Sequence, residues 1–68
     1  MGDYLIQWEN GRFWILTGEQ LKDEMEEWDN VPPRVYRLIP DRHPERMWGV
    51  KVNGSWLLVD IHNNQITL

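Results

Sequence analysis

Apolar and polar residues alternate along two stretches of the chain, and each stretch contains an Asn-Gly pair, at Asn10-Gly11 and at Asn53-Gly54. Alternation with a period of two predicts strands that bury one face. Asn-Gly between two such runs is the strongest local hairpin signal, because a type I′ turn needs positive φ at both central residues. Read as a two-residue loop, Asn10-Gly11 sets Glu9 against Arg12, Trp8 against Phe13, Gln7 against Trp14 and Ile6 against Ile15. Tyr4, Ile6, Trp8, Phe13 and Ile15 then share the expected core face, and Leu5, Gln7, Glu9, Arg12, Trp14 and Leu16 share the other.

The same construction at Asn53-Gly54 pairs Val52 with Ser55, Lys51 with Trp56, Val50 with Leu57 and Trp48 with Val59. It predicts a core face of Trp48, Val50, Val52, Leu57, Val59 and Ile61, and leaves Met47, Gly49, Lys51, Trp56, Leu58, Asp60 and His62 opposite. A further tight turn at Asn63-Asn64 would add Ile66 and Leu68 to the core face and make residues 46–68 a three-stranded meander.

Between the hairpins the period changes from two to 3.6. Leu21, Met25 and Trp28 recur at i, i+4 and i+7, and Thr17 followed by Gln20 is a capping-box start. Pro32-Pro33 stops the helix, residues 35–39 form a short strand, and residues 40–45 form a polar loop. The order ββα followed by ββββ predicts an α+β fold in a single domain spanning 1–68. An antiparallel sheet of five to six strands packs one amphipathic helix, and a small SH3-like or OB-like barrel with an inserted helix is the alternative.

Length and composition narrow the function classes. A chain of 68 residues buries only about 60% of its unfolded surface and has room for one modest core. With no cysteine there is no disulfide and no thiolate zinc site, which suits a reducing, cytoplasmic setting. No apolar run approaches the roughly 18 residues of a membrane span, and the start MGDYLIQW lacks a basic region followed by an apolar run. Gly2 is not followed by the hydroxyl residue that myristoylation needs, since Ile6 stands there.

The net charge of −4 hides an asymmetry that matters more than the sum. Residues 1–33 hold two basic against eight acidic side chains, whereas residues 34–68 hold five basic against three acidic. Glu19, Asp23, Glu24, Glu26, Glu27 and Asp29 make the helix an acidic ridge, and acids in its last turn oppose the helix dipole. Local rules broken without compensation tend to sit at functional sites. Glu19, Asp23, Glu26 and Glu27 are therefore candidates for docking on a basic partner. The competing reading is a solvated face that keeps the chain soluble.

Trp14 and Trp56 fall on the less apolar sides of their hairpins and are candidates for an aromatic contact surface, unless the helix covers them. Arg34, Arg37, Arg42, Arg46 and Lys51, interleaved with Tyr36, His43 and Trp48, form the segment best suited to single-stranded nucleic acid. Asp60 and His62 are neighbours on one face if the strand continues through them, with no third ligand set by spacing, so neither catalysis nor a metal nor a cofactor is expected. The sequence thus points to a non-catalytic protein-binding module, an inhibitor among its forms, that engages a basic or mixed partner protein. A nucleic-acid binder through residues 34–51 and a self-assembling homo-oligomer are the alternatives.

Overall fold

A computed structural model describes residues 3–68, so Gly2 lies outside it. The chain runs β1 (Asp3–Gln7), β2 (Phe13–Thr17), α1 (Gly18–Met25), β3 (Arg34–Leu38), β4 (Glu45–Val52) and β5 (Ser55–Val59). All five strands join one antiparallel sheet in the order β2-β1-β3-β4-β5. The sheet is open, with β2 and β5 at its edges, so the barrel alternative falls away.

Local sequence rules account for the helix. The Thr17 hydroxyl accepts from the Gln20 backbone N–H at 3.2 Å while the Gln20 side chain accepts from the Thr17 N–H at 3.0 Å, completing the capping box. Regular helix ends at Met25, and i+3 bonds from Glu26, Glu27 and Trp28 tighten the chain ahead of the prolines. Leu21, Met25 and Trp28 are buried against Tyr4, Ile6, Val35, Met47 and Leu58, and these eight side chains are the core.

The second hairpin keeps the expected register, with Val52 against Ser55 and Trp48 against Val59. Asn53 and Gly54 both adopt positive φ, 51° and 82°, as a type I′ turn demands. The first hairpin does not keep its expected register. Gln7 faces Phe13, Ile6 faces Trp14 and Tyr4 faces Leu16, a slip of one residue. The loop is Glu9-Asn10-Gly11. Gly11 N–H donates to the Trp8 carbonyl at 3.0 Å, Trp8 N–H donates to the Arg12 carbonyl at 2.8 Å, and Gly11 sits at φ 87°. A tight turn followed by a left-handed glycine is the three-residue hairpin with a bulge. Because the pleat repeats every two residues, the slip turns β2 over: Phe13 and Ile15 leave the expected core face, and Trp14 and Leu16 join it.

Two further expectations are corrected. On β4 and β5 the helix covers the face of Met47, Gly49, Trp56 and Leu58 rather than the face of Trp48, Val50 and Val52. A sixth strand does not form. Asp60 N–H and Asn63 N–H close a turn with the carbonyls of Asn64 and Asp60, and only a single bridge joins Val59 to Gln65. Ile66 still packs against the core, donating its N–H to the Leu58 carbonyl at 2.8 Å.

Candidate functional site

The registers combine into one consequence: the sheet has a helix side and a bare side. Tyr4, Ile6, Val35, Met47 and Leu58 point to the helix, so their neighbours in sequence point away from it. Ile15, Leu5, Tyr36 and Arg46 line up across β2, β1, β3 and β4 in one row of the bare side. Trp48 pairs with Val59 and Val50 with Leu57 in the rows beside it. Phe13 and Ile15 are 63% and 60% exposed, and Trp48, Val50 and Val52 are also exposed. Single exposed apolar residues are ordinary, whereas exposed apolar residues gathered on one sheet face make that face the candidate interaction surface.

The polar groups of this face are Asp3, Gln7, Thr17, Arg34, Arg46 and Ser55. Arg46 sits near two rings, its Cζ 5.4 Å from the centre of Tyr36 and 5.3 Å from that of Trp48, and donates to the carbonyls of Val35 and Met47. Burial pushes its pKa down, which the neighbouring Tyr36 partly offsets. Arg34 stands beside Gln7 at one end of the sheet, and Asp3 stands beside Leu38 at the other.

The expected basic surface is dispersed. Arg37 lies on the helix side and pairs with Glu45 at 2.6 Å, and this hydrogen bond raises the Arg37 pKa. Lys51 also lies on the helix side, 5.4 Å from the Trp56 ring centre, and Arg42 is in the exposed β3–β4 loop. Of the five only Arg34 and Arg46 lie on the bare face, and Nη1 of Arg46 already donates to two carbonyls.

Trp14 and Trp56 do not form one exposed surface. Both sit on the helix side: Trp56 packs edge-on against Trp28 at 5.9 Å, and Trp14 packs against Trp8 at 5.8 Å with 37% exposure. Among the described residues Glu19 and Asp23 on α1, and Glu26 and Glu27 in the turn beyond its end rather than on the expected helix, are exposed and make no ion pair.

Asp60 and His62 belong to the turn after β5 rather than to a strand face. The Asp60 carboxylate accepts from the Asn64 N–H at 2.9 Å and from the His62 N–H at 2.8 Å. These donors, Asn64 first, hold its pKa below the usual carboxylate range. No group of three or more His, Cys, Asp or Glu side chains gathers among the described residues. An open groove between α1, β5 and the C-terminal segment is lined by Lys22, Glu26, Lys51, Trp56 and Ile66 and encloses no such cluster. No described helix is long and apolar enough to cross a membrane.

The bare face was missed because both alternations on β4 and β5 are apolar. Gly49 carried the signal that distinguishes them. A Cβ there would stand 3.1 Å from the Pro32 Cβ and 3.3 Å from the Trp28 ring, so the missing side chain is where the helix-side layer seats. A glycine inside a strand marks such a close approach.

No protein-family model matches this chain, and no curated protein or solved structure matches it either.

Proposed function

We propose that this chain is a non-catalytic protein-binding module that docks the bare face of its sheet onto an apolar surface of a partner protein. The observation that carries the reading is the five-stranded sheet with a helix on one side only, exposing Phe13, Ile15, Trp48, Val50 and Val52 on the other. Apolar residues clustered with aromatic rings and an arginine have the composition of the centre of a protein interface.

Charge argues for a protein over the other partners. A polyanion needs several free cations along one track, whereas this face offers Arg34 and an Arg46 already bonded to carbonyls. An anionic lipid surface is attracted by clustered Lys and Arg, and the chain carries −4 with its cations scattered over both sides of the sheet. Aliphatic Val50, Val52, Leu57 and Val59 suit another protein's side chains rather than stacked bases.

Photo-crosslinking in cells tests the reading. Benzoylphenylalanine replaces Trp48 on the bare face, Glu27 on the acidic ridge or Arg42 in the basic loop. Protein adducts from position 48 and none from position 27 are expected. Adducts from position 27 alone would move the interface to the acidic ridge, and nucleic-acid adducts from position 42 would move the function to the basic segment.

A further inference from the structure

We infer that the partner on the bare face is a second copy of this chain, packed face to face in a symmetric dimer of four layers, helix–sheet–sheet–helix. This rests on the reading of the bare face as a protein-docking surface. Three features of the molecule lead to it.

The first is area. Five strands about 4.8 Å apart and five residues long at about 3.4 Å each give a flat footprint of roughly 400 Å² per copy. Side-chain relief takes the accessible surface removed from two copies past about 1,000 Å², the range in which specific interfaces begin. A chain with eight buried core side chains gains most from such a layer, because small domains commonly need an added source of burial.

The second is the placement of like charges. Two copies at −4 each repel, and the geometry of contact decides how much. Face-to-face packing puts the sheets about 10 Å apart with the acidic helices outside them, roughly 30 Å from one another. Coulomb repulsion across that distance is screened at physiological salt, where the Debye length is about 8 Å. A dimer formed through the helix side, or by pairing β2 edges beside α1, would instead bring Glu19, Asp23, Glu26 and Glu27 of both copies together.

The third is the polar pattern of the face itself. Asp3 marks one end of the central strands and Arg34 the other. A two-fold axis running across the strands reverses one copy over the other, so that the Asp3 end of each copy lies over the Arg34 end of its mate. An interface between identical copies needs this kind of self-complementarity.

Sedimentation equilibrium of the full chain across micromolar concentrations tests the inference, with the double variant Phe13→Lys/Ile15→Lys, at two exposed positions within the overlapping rows, as the disrupting case. The wild type is expected to reach twice its chain mass of 8.2 kDa, and the variant to stay at one chain. Because that variant could lose its fold, a second measurement stands apart from it. The chain has no cysteine, so Asp23→Cys supplies a single spin label on the outer face of α1. Label-to-label distances of about 30–45 Å are expected from the layer spacings. A wild type that remains one chain at every concentration overturns the dimer, and so do helix labels closer than about 20 Å, which place the contact on the helices or the β2 edge. Monomeric mass together with adducts from position 48 to a different protein would remove the second copy and leave the docking face. Loss of both would remove the docking face as well.

Discussion

Individual side chains here are used in ways that spacing alone does not disclose. Asp60 is two residues from His62, a spacing that invites an acid–base reading, yet its carboxylate is taken up by the Asn64 and His62 backbone N–H groups. That use has a pH signature. A carboxyl whose folded pKa is depressed stabilises the fold above its unfolded value near 4, and the contribution is lost as pH falls through the folded value. The amide resonances of His62 and Asn64 should therefore titrate with a midpoint below about 3.9, the ordinary aspartate value. Asp60→Asn, whose side-chain carbonyl still accepts, should keep the turn and abolish the titration. A midpoint at or above the ordinary value would mean that these bonds do not form. At this scale Gly49 is the residue most worth reading again, since a Cβ there would crowd Pro32 at 3.1 Å and Trp28 at 3.3 Å where they settle on β4.

Elements follow local rules wherever one local signal has one structural outcome. The Thr17/Gln20 pair and the Leu21, Met25, Trp28 stripe specified the helix start and its buried side, because capping and 3.6-residue periodicity act within a few residues. Asn53-Gly54 specified its hairpin for the same reason. Asn10-Gly11 failed because the same dipeptide serves two loops: a two-residue turn with both residues left-handed, or a three-residue loop in which only Gly11 is. Asn10 shows the difference, accepting from the Arg12 N–H at 3.0 Å while only Gly11 has positive φ in that loop. The glycines differ testably. Gly54→Ala places a Cβ at φ 82° and should cost about 1–2 kcal/mol in urea denaturation. Gly18→Ala, at the first helical position with ordinary contacts of 3.5 Å and beyond, should be neutral or stabilise by up to about 1 kcal/mol. Equal losses at both sites would contradict the assigned turn.

For the whole molecule, the antiparallel sheet and its single helix were legible, and the side of the sheet that the helix covers was not. A slip of one residue reverses β2, and β4–β5 has apolar side chains on both faces, so alternation could not choose between them. The choice is made by tertiary packing: α1 brings Leu21 and Met25, and the turn after it Trp28, into one core with Met47 and Leu58, and the side of β4–β5 that carries Trp48, Val50 and Val52 is left open. Trp14 and Trp56, which share one interface with the acidic ridge in the sequence reading, lie on the helix side with it, and the bare face lies on the opposite side of the molecule. The proposed interface and the proposed dimer both depend on which face is bare.

Met47 and Val50 are three residues apart on β4 and point to opposite faces, so comparing Met47→Ala with Val50→Ala in urea at matched protein concentration tests that assignment directly. The fold described here predicts a loss of about 2–5 kcal/mol for Met47→Ala, which opens a cavity under the helix. It predicts less than about 1 kcal/mol for Val50→Ala, at an exposed position. A loss at Val50 equal to or greater than that at Met47 would mean that the helix covers the other face, and the proposed interface would have to move with it.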